Sequence, residues 1–523
     1  MDAKKIWSKA HDQFKKKKYD AALKTLAKLQ KSAPNYKDAY YLEAEIWGKL
    51  KNPMKHYQAL KKILPLLNLD SPKEAAFNSE FFAHFAKACN TLSLHNDALH
   101  YFNLSAELAV DKEKVTATME DVFFLTNTWE NFSAADFNSF YEKYKSGLSE
   151  MTPYPKKFYD HEKIRIGFLS ADFKNHAVVN WSWSLLTKLD KNLFERYFYS
   201  NVKTPDRVTD YLRKTADGWR DIHGLTDAAA AKLIRDDEID ILFDLNGHTA
   251  DNRLSVAAYR PASVQMSGIG YTNSTGMDCF DYFLSDVYCA GDENFFTEKV
   301  IKLPHSHFCY EPPTKLKPAD FPPCLKNNFV TFGTINQFMK VTDSILITWK
   351  KILDAVPDSK LILKNKICNS EDGKIFVGDR LKRFGFDLAR VELRPTTINH
   401  LVEYGDMDIA FDTFPCTGGV TTCEALYMGV PVVSLYGERH GSRFGLSMLS
   451  NVGLEELAVA SYDEYINRAV ALASDWELLT LLRKNLRTMM EKSPLMDSSI
   501  YLRDIQEAFI KILDAERSAF NER

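Results

Sequence analysis

From Ile164 onward the chain alternates short β-branched or aromatic runs with helical stretches, and this restricts the fold more than any other feature. The runs IRIGFLS, RYFYSNV, IDILFDLNG, SVQMSGIGY and DYFLSD form one series. FVTFGTINQ, SKLILKN, VELRP, DIAFDTF, PVVSLYG and LAVAS form a second, separated by helical segments such as DSILITWKKILDAV and YDEYINRAVALASD. Strands joined through helices pair in parallel, because a helix must carry the chain back to the starting end of the sheet. The proline-rich stretch YEPPTKLKPADFPPCLKNN divides the series, which predicts two lobes, 160–325 and 326–523, with a cleft between them. Ligands in such folds bind beyond the carboxyl ends of the strands. Candidate chemistry is therefore sought just after each strand.

Residues 1–150 read differently. FKKKKYDAALKTLAKLQKSAPN places Ala22 after a Tyr-Asp-Ala and Pro34 twelve residues beyond it, like the second half of a tetratricopeptide (TPR) repeat. LHNDALHYFNLSAELAVD puts Ala98 in the same place, 76 residues on, or two slightly long repeats. The intervening DAYYLEAEIWGKLKNPMKHYQALKKILPLL is apolar at i, i+3 and i+4. About three degenerate helical hairpins are expected; an unspecialised helical bundle fits the same pattern.

Composition excludes several classes. With 523 residues and a net charge of −3, the chain has no global basic field for nucleic acid or a membrane surface. MDAKKIWSKAHDQF lacks an apolar signal core, and no apolar run approaches membrane-spanning length, so a cytoplasmic protein without membrane insertion is expected. The eight cysteines form no CxxC pair, which predicts neither a disulfide framework nor a zinc site.

Several residues after the strands carry chemistry. Gln337 and Lys340 follow FVTFGTI, and Thr342 or Asp343 is placed to cap the next helix. A lysine there is a point charge beside a helix start, suited to a diphosphate; a surface lysine has the same sequence appearance. DTFPCTGGVTTCEALYMGVPVV runs from Asp412 through a turn into an apolar helix. Gly418 and Gly419 let the backbone approach a ligand closely. Thr421 and Thr422 add hydroxyls beside the unpaired N–H groups of the first turn. Glu424 can accept from two sugar hydroxyls, or simply complement the helix dipole. His176 and His248 follow IRIGFLS and IDILFDLN and are expected to face one cleft as acid/base or oxygen-binding groups. His305, His307 and Cys309 in LPHSHFCY alternate as in a strand and are of metal-ligand type, but no second cluster accompanies them, so they are read as structural.

Four stretches carry a resemblance: IGFLSADFKNHAV, DLNGHTADNRLSVAAYRPASVQMSGIGYTNSTGMDCFDYFLSD, FGTINQFMKVTDSILITWKKILDAVPDSKLIL and DIAFDTFPCTGGVTTCEALYMGVPVVSLYGERHGSR. In order and spacing, over about 160 to 485, they resemble the catalytic region of protein O-GlcNAc transferases, whose front ends are also TPR-like. The resemblance implies an α/β GT-B fold of two Rossmann-like lobes behind an all-α repeat domain. It implies inverting transfer of N-acetylglucosamine from UDP-GlcNAc to Ser or Thr of proteins, with no metal or other cofactor. Its partners would be the UDP-sugar donor and a protein or peptide acceptor presented by the repeats.

Roles follow residue by residue from that resemblance. Lys340 would neutralise the diphosphate, with Gln337 in the same pocket. His400, twelve residues before Asp412, would stack on uracil. Thr421 and Thr422 would meet phosphate at the Gly418–Gly419 turn, and Glu424 would hold the ribose. His176 would be the active-site histidine discussed as a base, and His248 would line the sugar–acceptor site. Two positions depart: Thr397 stands where some relatives have a lysine, and Gly419 where animal relatives have a histidine. Protein N-glucosyltransferases using UDP-glucose on Asn share the lobes. UDP-sugar 2-epimerases share the fold but have no reason to carry repeats, and an inactive repeat scaffold would not need Lys340, His176 and Glu424.

Overall fold

The computed structural model describes residues 2–148, 151–312 and 314–522. Glu150, at the expected end of the repeats, and Pro313, in the proline-rich stretch, lie outside the described residues. The chain folds as two compact bodies, Met1–Thr128 with Phe329–His400, and Trp129–Asn328 with Leu401–Arg523. Among the described residues it contains β1 (Ile164–Ser170), β2 (Phe194–Ser200), β3 (Gly218–Asp221), β4 (Ile241–Asp244), β5 (Val264–Gly268), β6 (Tyr282–Asp286) and β7 (Lys299–Leu303). Then follow β8 (Thr331–Thr334), β9 (Lys360–Lys364), β10 (Val391–Arg394), β11 (Ile409–Phe411), β12 (Val432–Leu435) and β13 (Ala458–Val459). The strand pairs within each body are parallel, as the alternation requires.

In the first body, helices Ala3–Lys15 and Tyr19–Ser32, Lys37–Lys49 and Pro53–Lys61, and Ala75–Thr91 and His95–Glu107 form three successive hairpins. Ala22 and Ala98 are both fully buried, each four residues into the second helix of its hairpin. Each lies twelve residues after a buried alanine of the preceding helix, Ala10 and Ala86. The middle hairpin keeps this register with Ala44 and His56, whose Nδ1 lies 2.8 Å from the Ala44 carbonyl oxygen. From Ala10 to Ala44 is one standard 34-residue repeat. The whole excess length falls in the next repeat, where the 3-10 turns Leu64–Leu66 and Pro72–Glu74 take it up. The body is completed by β8, β9 and β10, in the order β10-β9-β8.

In the second body, seven strands run in the order β3-β2-β1-β4-β5-β6-β7. The order reverses between β1 and β4, which opens a crevice at their carboxyl ends. The edge strands β3 and β7 were not legible as strands: GWRD and KVIKL are half exposed and offer no continuous apolar run. β11, β12 and β13 follow in that order. The last helix, Ser498–Asn521, packs back on the first sheet, where Phe509 meets Phe194 and Phe243, each at 6.2 Å. The final helix thus serves the seven-stranded sheet.

Candidate functional site

At the β1–β4 crevice, the strands end in two loops tied by Asn246. Its Oδ1 accepts from the Ala171 N–H at 2.7 Å, and its Nδ2 donates to Asp172 Oδ2 at 2.9 Å. The same Asp172 oxygen lies 3.6 Å from His176 Nδ1, which also accepts from the Val178 N–H at 3.4 Å as the cap of helix Ala177–Lys188. The His176 side chain is 42% exposed, so the cap fixes one edge of the ring and leaves the other to the crevice. Asp172 and Asn246 position this histidine, and sequence reasoning missed both. The legible signal was an acid four residues before a histidine at a helix start.

His248 differs from the expectation. It is 3% exposed, with Tyr144 and Tyr271 rings edge-on at 5.1 and 5.4 Å. Burial lowers it to about 4, so at neutral pH the ring is uncharged, and Nε2 donates to the Thr275 carbonyl oxygen at 2.7 Å. The structure buries its ring, while the His176 side chain stays partly exposed.

The β11 turn is built around Asp412, which is 1% exposed. Its Oδ1 accepts from the N–H groups of Thr413 (2.8 Å) and Gly418 (2.6 Å), and its Oδ2 from the Ser434 hydroxyl on β12 at 2.7 Å. A Cβ on Gly418 would sit 2.4 Å from Thr422 Oγ1, 2.8 Å from Thr421 Oγ1 and 3.0 Å from Asp412 Oδ1. Both hydroxyls thus crowd the glycine, and any Cβ there would have to displace them. Gly419 caps helix Val420–Tyr427 with no side-chain hydrogen bond to its N–H groups, leaving the positive end of the dipole to an incoming anion. A Cβ on Gly419 would lie 3.5 Å from Trp181, on the helix that His176 caps. The structure therefore brings the His176 helix to the glycine turn. Glu424 lies a turn further in, buried, with the Tyr404 hydroxyl as a hydrogen-bond partner. Tyr404 also donates to the Thr421 carbonyl oxygen at 3.0 Å.

The remaining residues belong to the first body. Gln337 is exposed, and Lys340 is half-buried at the end of the 3-10 turn Phe338–Lys340. Thr342, not Asp343, caps the following helix; Asp343 pairs with Arg380 at 2.6 Å. The backbone beside Lys340 is held by the third hairpin: His95 Nε2 donates to the Met339 carbonyl oxygen at 2.8 Å, and Ser93 Oγ to that of Val341 at 2.9 Å. Half-buried His400 closes this body and begins the 3-10 helix His400–Asp406. Near it in the chain, at Thr397, a lysine arrives from elsewhere. Buried Lys364, at the end of β9, donates to Thr397 Oγ1 at 3.0 Å and to the Pro395 carbonyl oxygen at 2.7 Å. A cation closing the apolar run LIL of KLILK was its only signal.

The sequence profile of Glycosyl transferase family 41 matches residues 141–316 and 323–505, which include every candidate above. The chain belongs to glycosyltransferase family 41. Among curated family 41 relatives, a probable UDP-N-acetylglucosamine–peptide N-acetylglucosaminyltransferase SPINDLY from Solanum lycopersicum is 38% identical over 71% of this chain and 41% of its own length. The SEC protein of Arabidopsis thaliana, likewise named as a probable UDP-N-acetylglucosamine–peptide N-acetylglucosaminyltransferase, is 28% identical over 67% and 37%. The chain thus spans about two fifths of the length of the curated relatives it matches. A solved structure of an O-GlcNAc transferase variant from Thermobaculum terrenum superposes with a TM-score of 0.85, at 27% identity over 99% of this chain and 98% of that one. The family 41 fold, two parallel sheets behind N-terminal helices, is therefore shared over the full described length.

Proposed function

We propose that this family 41 protein transfers N-acetylglucosamine from UDP-GlcNAc to Ser or Thr of protein acceptors, with inversion and without a metal at the donor phosphates. The observation that carries the reading is the Gly418 turn, where two hydroxyls and an uncapped helix start lie beside the helix bearing His176. As the sugar–phosphate bond breaks, negative charge grows on the departing UDP. Thr421, Thr422 and the helix N–H groups offer that charge preorganised donors, and Lys340 supplies a cation. His400 gives uracil a flat face, and Glu424, exchanging its Tyr404 partner, accepts from the ribose.

His176 is assigned to the acceptor hydroxyl. While Nδ1 accepts from the Val178 N–H, the proton sits on Nε2, which can only donate to an oxygen. When Nδ1–H turns to Asp172, Nε2 is free to take the acceptor proton. The full chain, incubated with UDP-GlcNAc, UDP-glucose or a GDP-sugar and peptides containing Ser, Thr or Asn, tests the reading by mass spectrometry. UDP-GlcNAc on Ser or Thr is expected. Glucose on Asn, a GDP-sugar preference, or no transfer to any peptide overturns it.

A further inference from the structure

Behind the glycine turn, the second body holds a side-chain cluster that the proposed chemistry does not use. Cys289, His307 and His440 each offer a ligand atom, and these atoms lie within 4.8 Å of one another. All three residues are buried, at 0%, 0% and 1% exposure. They come from the turn after β6, the loop after β7 and the 3-10 helix His440–Ser442. No spacing rule links positions so far apart. The sequence grouping of His305, His307 and Cys309 is broken up: His305 pairs with Asp504 at 2.8 Å, and Cys309 faces Ser184.

Both imidazoles are oriented as metal-bound imidazoles are, each with its Nδ1 engaged by an oxygen. His307 Nδ1 lies 2.5 Å from Asp286 Oδ2, and His440 Nδ1 lies 3.2 Å from the Thr272 carbonyl oxygen. Asp286 is itself fixed by the N–H groups of Tyr288, Cys289 and His307 and by the Ser447 hydroxyl. Nε2 is the nitrogen each ring has left to give, and both Nε2 atoms are buried without a hydrogen-bond partner. Burying such a polar atom without a partner is costly, so two within one cluster call for a ligand. Phe283, Phe308 and Phe444 pack against these rings, and the fourth position of a tetrahedral ion falls to a water.

We propose that Cys289, His307 and His440 bind a divalent d-block cation of the zinc class, as a structural site that fastens the glycine turn to the seven-stranded sheet. One thiolate and two imidazoles are a donor set that zinc takes. Tetrahedral zinc at its usual bond lengths holds such atoms roughly 3.3–3.6 Å apart, so the widest pair closes by about 1 Å. On binding, the Cys289 thiol gives up its proton to solvent. The thiolate and the Asp286 carboxylate then balance a divalent charge. The fastening reaches the turn by two routes. The Gly441 carbonyl oxygen accepts from the Thr417 N–H at 3.3 Å and its hydroxyl at 3.0 Å. Phe308 packs on Trp181 at 4.6 Å, and Trp181 faces Gly419.

The test uses the full chain expressed in zinc-replete and in cobalt-substituted medium. Elemental mass spectrometry is expected to find close to one zinc per chain after purification. The cobalt protein is expected to show tetrahedral visible bands and a sulfur-to-cobalt charge-transfer band. Cys289→Ser should lose the charge-transfer band, and His440→Gln should lose most of the metal, with circular dichroism confirming the fold. Where a variant does not fold, the wild-type metal content and cobalt spectrum decide. Wild-type protein with less than about a tenth of a metal per chain overturns the site. So does a cobalt spectrum without the sulfur band, or folded variants that retain wild-type metal.

Discussion

Gly418 shows how narrowly a single position can be specified. A methyl group there would collide with Thr421 Oγ1, Thr422 Oγ1 and Asp412 Oδ1 together. Gly418→Ala is therefore expected to leave a folded protein whose affinity for UDP falls roughly a hundredfold, about 2–3 kcal/mol, by isothermal calorimetry. Retained affinity would mean that the hydroxyls do not meet phosphate. For Lys340→Ala the expected loss is about 10²–10³ in transfer rate with an unchanged circular dichroism spectrum. The wild-type rate should also be insensitive to EDTA, because a fully buried structural cation exchanges slowly and the donor phosphates need none. Strict dependence on added Mn²⁺ or Mg²⁺ would refute that assignment. The turn residues were legible because their chemistry is contiguous in the chain: Gly418, Thr421 and Thr422 act on one another within five positions. Asn246, Lys364 and Trp181 were not, since each acts on a partner that only the fold brings near.

At the scale of elements, the final helix is fastened by Glu516. Burial alone would raise its carboxyl. Hydrogen bonds from Lys156 (2.8 Å) and Tyr282 (2.9 Å), with the charges of Lys156 and Lys299, outweigh this and hold it at about 2. Because the folded value lies below that of an unfolded glutamate, the stabilisation is fully present above about pH 4.3 and is lost as pH falls toward 2. Glu516→Gln should cost on the order of 1–2 kcal/mol at pH 7. Its deficit in urea midpoint should shrink steadily below about pH 4.5. A deficit independent of pH would assign Glu516 a packing role only. Central strands such as β1 and β4 were legible because most of their positions are buried on both faces and the runs are mainly apolar. The edges β3 and β7 were not, because a half-exposed strand keeps its polar residues and resembles a loop. The unequal repeats escaped for a related reason: Ala22 and Ala98 fix only their total separation, and His56 hides the register of the middle hairpin.

At the scale of the molecule, the repeats do more than extend the chain. Ser93 and His95 hold the backbone on either side of Lys340, so the hairpin that could meet an acceptor also steadies a residue assigned to the donor. The double variant Ser93→Ala, His95→Ala is expected to weaken UDP binding about tenfold while circular dichroism stays unchanged. Unaltered affinity would show that the loop keeps its shape alone. Deleting the repeats should for the same reason impair nucleotide binding along with acceptor transfer. The chain path has a consequence for biosynthesis. The first body begins with the repeats and is completed only by residues 329–400, with about 200 residues of the second body translated between them. At ~5–20 residues per second, the ribosome takes roughly 10–40 s to make that insertion. Throughout that interval the nascent turn at Ser93 and His95 waits for a partner not yet synthesised.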